Sequence, residues 1–549
     1  MNKKTVILIP ILIALSVATG ILIGNMLKKN ASPVFTGMNF SHPNKIATIL
    51  DLVDQGYVDK INTSDIIEET IPEILKNLDP HTTYIPARDM QEVQEEMQGN
   101  FSGIGVQFSV MDDTVRVVEV ISGGPSSKVG ILPGDRIVTV NDSVIAGVDV
   151  ESNTVLSLLR GEKNTKVNVG VIRKGYDGEL DFEITRGDIP IYSVDVAYMI
   201  DNETGFIKIS RFANTTYDEF MEGMEKLRAA GAQKVIIDLR NNPGGSLVGV
   251  LQMVDEFLPA GEPILYTEGS HQARKTYNAS SRTSFGDIGV YVMIDEFSAS
   301  ASEIFAGAMQ DNDRGIVIGR RSFGKGLVQE QIPLMDGSAL RLTVARFYTP
   351  SGRCIQSSYE DGNEEYYNHI YERFHNMEQL VADSIHFVDS LRYETKGGRV
   401  VYGGGGIMPD FFVPVDTTGN SEYFNKIYRR GLIYTYAYSY ADQHRDELSA
   451  FTTGDEINRY LDTQNAMDDF MAYAEEKGVK KDAAGLKESG ELINTQLKAY
   501  IARNIIGEEG FYPIIKNIDK TLLRAIDISR QNLLVQNIVA PDSVVNVPR

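Results

Sequence analysis

The spacing of apolar positions changes along this chain, and each change marks a boundary. Thr5–Leu27 carries no charge, with Lys3 and Lys4 before it and Lys28 and Lys29 after it. That length meets the ~20 residues a membrane-spanning helix needs, whereas a secretory signal has a shorter apolar core of about 7–15 residues. Residues 1–29 are therefore read as an uncleaved anchor, with cleavage near Ala18–Gly20 as the alternative. Lysines at both ends orient it weakly, and either reading exports the chain. Residues 30–42 form a polar tether. From 45 to 100 the apolar residues recur at helical spacing, with Ser64 as a cap for SDIIEETIPEILKNL. DPHTTYIP, residues 79–86, breaks the helix with two prolines.

At Phe101 the period becomes that of strands. β-branched runs alternate with glycine-rich turns to residue 178, around a short helix in GPSSKVGILPGD and a second in NTVLSLLRG. From about Ile189 strands alternate with helices. Strands are expected at 205–210, 234–240, 290–296, 315–320 and 339–350, with helices at YDEFMEGMEKLRAA, LVGVLQMVDEFL and SEIFAGAMQ. This order predicts βα units packed in layers. A polar and aromatic stretch, 357–396, interrupts that section, and GGGGIMPDFFVP returns to it. From 416 to 549 the chain is almost wholly helical, which reads as a packing or self-association domain.

Composition narrows the function. A formal charge of −22 disfavours nucleic acid, which requires clustered Lys and Arg. The one cysteine, Cys354, excludes an intramolecular disulfide and a cysteine-rich zinc site. The seven histidines show no HExxH pattern, so no metal ligand set is visible and no cofactor is implied. His81, His271 and the others are read as surface or structural residues.

The chemistry concentrates in DEFSASASEIFAGAMQDNDRGIVIGRRSFGKGLVQ, residues 295–329. A serine needs a positioned base, and a lysine serves when burial lowers its pKa. Ser298, Ser300 and Ser302 are equivalent as residues, since alternate positions of an extended segment share a face. Lys325 and Gln329 also share a face if GKGLVQ is extended, and a glutamine carbonyl can then orient the amine. The plainer readings are a serine-capped helix start, a solvated Gly-Lys-Gly turn and a strand-surface glutamine.

Taken together, these segments resemble the carboxy-terminal processing, or tail-specific, proteases of peptidase family S41. SGIGVQF and GPSSKVGILPGDRIVTVND resemble a circularly permuted PDZ domain over 101–178, DLRNNPGG the glycine turn before the nucleophile, and SASASE with GKGLVQ the nucleophile and base segments. LDPHTTYIP, YTPSGRCIQ and the GGGGI block fit as well, with Thr82 and Cys354 as minor departures. The resemblance implies a multi-domain α/β protein. A crotonase/Clp-protease-like serine protease core would occupy 189–415, with an inserted PDZ domain, a helical region over 45–100 and a helical C-terminal domain over 416–549.

It also implies roles. Ser300 would be the nucleophile, Lys325 the general base and Gln329 its orienting partner. Ala301 and either Gly244 or Gly245 would donate backbone N–H groups to the oxyanion. Gly103, Ile104, Gly105 and Val106 would receive a substrate's terminal carboxylate, with Arg160 as a charge partner or, equally, a helix-ending arginine. The function expected is that of a serine endopeptidase cutting near protein C-termini, held in the bacterial inner membrane and working in the periplasm. The alternatives are a catalytically silent, membrane-tethered PDZ adaptor and a crotonase-type hydratase or thioesterase. Partners would be protein tails and the membrane, with self-association through the C-terminal helices and any activating adaptor left open.

Overall fold

The computed structural model describes residues 44–531, apart from 112, 122 and 382–387. The expected anchor at 1–29 lies outside the described residues. Among the described residues no helix is long and apolar enough to cross a membrane.

The chain divides into two compact units between Ile71 and Pro72. In the first, Asn44 caps the helix Lys45–Gly56 through the Ala47 N–H. The next helix, Thr63–Leu75, runs across that boundary; it begins one residue before the expected cap Ser64, and Asn62 takes that part by accepting the Ser64 N–H at 3.1 Å.

In the second unit a six-stranded sheet forms the central layer. Its order is Val194–Met199, Thr204–Ile209, Lys234–Asp238, Gly289–Ile294, Gly315–Gly319 and Phe411–Phe412. The first pair is antiparallel and every later pair parallel. Thr204–Ile209 and Gly315–Gly319 are buried at every position, as expected of parallel strands covered on both faces. Helices Thr216–Ala229, Leu247–Asp255 and Ala301–Asp311 cover one face, where Phe220, Val254 and Phe305 join the main core. Helix Lys520–Arg530 covers the other with Leu522, Ala525, Ile526 and Ile528.

A second sheet of five strands lies beside it. Leu327–Pro333 pairs with the long strand Ala339–Tyr348, and so does Thr83–Ile85. The DPHTTYIP segment, read as a helix breaker, therefore also supplies a strand. Its Asp79 makes this possible by accepting the N–H groups of His81 and Thr82, both at 2.9 Å, and the Thr343 hydroxyl at 3.0 Å.

The next domain is a sheet ordered Val106–Met111, Thr114–Val120, Arg136–Val140, Lys166–Ile172 and Glu179–Thr185. It runs seven residues past 178, because Glu179–Thr185 pairs along the whole length of Lys166–Ile172. The C-terminal helices from Glu422 onward have their own core around Ile427, Phe470 and Leu497. They also touch the earlier domains. Tyr438, 1% exposed, donates to the Val117 carbonyl at 3.2 Å, and Tyr512 donates to Asp195 at 3.1 Å.

One buried ion pair fastens the far end of helix Ala301–Asp311. Arg353 and Asp311 meet at 2.7 Å with both side chains fully buried, and Arg353 also donates to Gln310 and to the Tyr402 carbonyl. Removing one member leaves an uncompensated buried charge. Asp311→Ala should therefore destabilise the core by about 3–5 kcal/mol, read as a lower thermal midpoint. An unchanged midpoint would show that the pair carries no such burden.

Candidate active site

Three loops leave the carboxyl ends of three adjacent parallel strands. They follow Lys234–Asp238, Gly289–Ile294 and Gly315–Gly319, the edge where open α/β sheets place their ligand sites. The first carries the glycine turn, the second the serine run and the third Lys325.

The backbone separates the three serines. Ser298 and Ser302 are fully buried. Ser298 donates to the Leu239 carbonyl at 2.8 Å and accepts the Asp295 N–H at 2.9 Å, while Ser302 donates to the Asn242 carbonyl at 2.9 Å. Ser300 is half-buried and sits as N-cap of helix Ala301–Asp311 at φ 53°, ψ −109°. Such a conformation is costly for a residue with a side chain and persists only where its surroundings impose it. Here the Ala299 N–H is held by the Asn242 carbonyl at 3.0 Å and the Ser300 N–H by Glu303 at 2.8 Å.

Glu303 joins this loop to the lysine loop. Its fully buried carboxylate also accepts the Ser322 hydroxyl at 2.6 Å and the N–H groups of Gly324 and Lys325 at 2.7 and 2.9 Å. Burial still pushes its carboxyl above the ordinary value. Lys325 Nζ donates to Gln329 Oε1 at 3.1 Å. The Gln329 amide group donates to the His81 carbonyl, an acceptor only, and this leaves its oxygen for the lysine. A register shift between Val328 and Gln329 accommodates the contact. Lys325 is held below the ordinary lysine value, first by burial and then by the Arg341 charge, with Glu303 and Asp79 pulling the other way.

His81 is thus no surface residue. Its ring nitrogen bonds the Tyr366 hydroxyl at 2.9 Å. Burial, with a smaller push from Lys325, takes it down to about 4. Tyr366 comes from helix Asn363–His375 of the stretch read as an interruption, which therefore forms part of this wall. Sequence reasoning missed Glu303, His81 and Tyr366 as site residues. The first stands at capping-box spacing from Ser300, and the second lies inside LDPHTTYIP.

Gly244 and Gly245 differ in what their N–H groups do. The Gly244 N–H is engaged by Asn242 Oδ1 at 2.9 Å, whereas those of Gly245 and Ala301 bond to no other described residue. A Cβ on Gly244 would come within 2.8 Å of the Ala301 nitrogen and 2.6 Å of the Ala299 oxygen. Only glycine lets the turn lie against the helix start.

In the smaller domain Gly103 lies in the strand Asn100–Gly103, paired with Gly187–Pro190, and Val106 opens the next strand. Between them the N–H groups of Ile104 and Gly105 bond to no other described residue, while their carbonyls accept from Ser126 and Ile121. Arg160 lies beside Gly103, 4.7 Å over the Phe101 ring and 3.9 Å from Glu92. It lines a cavity of about 250 Å³ with Arg211, Ile191 and Glu95. Among the described residues no cluster of three or more His, Cys, Asp or Glu is arranged to hold a metal ion.

The fold and this site define a serine peptidase carrying a PDZ domain. Residues 203–362 match the model of peptidase family S41, 102–184 that of a PDZ domain, and 423–507 a family of unknown function. A carboxy-terminal-processing protease of Bartonella bacilliformis is 33% identical over 317 residues, spanning 57% of this chain and 72% of that protein. The carboxy-terminal processing protease CtpB of Bacillus subtilis is 31% identical over 314 residues, 57% of this chain and 65% of that protein. A solved photosystem II D1 C-terminal processing protease is 26% identical, covering 56% of this chain and 88% of that one at a TM-score of 0.32. The chain belongs to the carboxy-terminal processing proteases of family S41.

The low histidine pKa values have a consequence for stability. His81 and, by burial and nearby Arg373, His369 take their protons near 4 in the fold, against 6.5 ordinarily. Between those values the unfolded chain binds more protons, so their contribution is full above about 6.5 and is lost as pH falls toward 4. His81→Gln should flatten part of that decline in denaturant midpoints. A His81 ring titrating near 6.5 in the folded protein would contradict the packing described.

Proposed function

We propose that this chain is an extracytoplasmic endopeptidase, anchored through residues 1–29, that captures protein C-termini and cuts near them by acyl transfer on Ser300. The observation that carries the reading is the carboxylate of Glu303, which bonds both the nucleophile loop and the lysine loop. In the first step Ser300 Oγ bonds to the scissile carbonyl carbon and its proton passes to neutral Lys325 Nζ. The oxyanion is held by the N–H groups of Gly245 and Ala301, the latter at a helix N-terminus whose dipole favours negative charge. The C–N bond then breaks as the Lys325 ammonium gives its proton to the leaving amine. Water next attacks the ester, with Lys325 again the base, and releases Ser300.

What supports Ser300 over its neighbours is that both of theirs are engaged by backbone carbonyls. Gly245 is favoured over Gly244 because Asn242 already holds the Gly244 N–H. Capture of the tail falls to the N–H groups of Ile104 and Gly105, which bond to no other described residue, flanked by Gly103 and Val106, with Arg160 beside them. The uncharged run Thr5–Leu27 between lysine pairs supports an inner-membrane anchor and a periplasmic site of action.

Two experiments test this. An unstructured protein with a free C-terminus should be cut, the same protein with a blocked C-terminus should not, and Ser300→Ala and Lys325→Ala should each abolish cutting. Equal cutting of both substrates would remove tail recognition, and an active Lys325→Ala would remove the base. Because only neutral Lys325 accepts the proton, kcat/KM should rise with pH through one ionisation lying below 10.5. Arg341→Gln removes a like charge, so that limb should move to higher pH. A limb that stays in place or moves down would rule out the electrostatic assignment.

A further inference from the structure

Behind the glycine turn lies a partly buried ion cluster that no step above uses. Arg240 is the residue from which the strand Lys234–Asp238 enters the turn. Its N–H donates to Asp238 Oδ1 at 3.0 Å and its carbonyl accepts from Lys208 Nζ. Its guanidinium forks two ways. One side donates to Asp238 at 3.0 and 2.7 Å, the other to Asp519 at 3.0 and 2.6 Å. Asp519 is 279 residues further along the chain. It is also the N-cap of helix Lys520–Arg530, accepting the Leu522 N–H at 3.0 Å, and that helix is packed on the core sheet through Leu522, Ala525 and Ile526.

We infer that Asp519 is a positioning residue for the reaction: through Arg240 it fixes where the glycine turn presents the Gly245 N–H. The inference rests on the oxyanion role proposed above for Gly245. Arg240 and Lys208 are two cations facing Asp238 and Asp519. With Asp519 neutral, Asp238 alone faces both, and the guanidinium loses one of its two bidentate partners. The following residue, Asn241, adopts φ 55° and gives its N–H to Asp295 at 2.9 Å, so rotation at Arg240 is transmitted into a strained turn with little slack. The C-terminal segment thereby becomes part of the catalytic scaffold, although it contributes no group that touches substrate.

Asp519→Asn and Asp519→Ser both keep an oxygen for the helix cap while removing the charge. In the full chain each should lower kcat about ten- to a hundredfold with KM within about twofold, the scale of a small misplacement of a reacting group. Affinity for a peptide boronic acid, which forms a tetrahedral adduct on Ser300, should fall by the same factor. A C-terminal peptide should bind Ser300→Ala and Ser300→Ala/Asp519→Asn alike. Asp519→Glu should restore part of the loss. Full kcat in the neutral variants, loss of kcat with unchanged boronate affinity, or failure of both variants to fold would each overturn the inference. Ser300→Ala measured alongside separates the two levels. Activity in it sinks the underlying assignment, whereas its inactivity beside a fully active Asp519→Asn sinks only the positioning role.

Discussion

The site depends on one buried carboxylate. Glu303 has no exposure to solvent, and an anion in that position is tolerated only when its acceptor capacity is filled. Four donors from two separate loops fill it. The cost of leaving any of them unmet is what fixes the loops to each other. A surface salt bridge has no comparable hold, because water replaces either partner at little cost. Parallel topology supplies the remaining condition. The loops leave neighbouring strands at the same sheet edge, so a side chain on the first turn of one helix reaches both.

The lysine pocket follows from a balance of charges around that carboxylate. Burial and Arg341 favour the neutral amine, while Glu303 and Asp79 favour the ammonium. The base role proposed for Lys325 would be served by opposition of this kind, since an ammonium stabilised by carboxylates alone would hold its proton too firmly. His81 fits the same logic. Kept neutral, it adds no second cation beside Lys325, and its carbonyl sets the polarity of the Gln329 amide. Tyr366, carried by a segment outside the matched protease region, completes that wall and bonds the His81 ring.

Much of the architecture was legible because its periodicities are strong. The buried parallel strands read as continuous apolar runs, and Lys325 and Gln329 lie together, though Lys325 stands before the strand that begins at Leu327. What escaped was set by long-range partners. Thr83–Ile85 forms a strand only because Ala339–Tyr348 offers it an edge, and no local pattern in DPHTTYIP announces that. Ser64 looked like a cap until Asn62, two residues earlier, proved to hold its N–H. His81, read as surface or structural, proved structural, but nothing beside it in sequence placed it at the site. Its burial comes from Phe323 and Tyr366, both far along the chain.

The serine repeat shows why residue type alone left three candidates. Ser298 and Ser302 look interchangeable with Ser300 in a string of letters, yet their surroundings give them a different task. A strand that ends in a turn leaves carbonyls pointing into the protein, and those of Leu239 and Asn242 need donors small enough to fit beneath the start of a helix. Serine hydroxyls meet both demands, and the intervening Ala299 and Ala301 are almost fully buried at 5% and 1% exposure, where a larger side chain would have no room. Gly244 lies against the same backbone from the other side. Close packing of small residues therefore draws the glycine turn onto the helix start, the outer serines secure the contact, and Ser300 is left at the bend with a backbone that its neighbours hold in a costly conformation. The repeat is a division of labour imposed by packing: the outer serines donate to backbone carbonyls, and the middle one stands at the start of the helix.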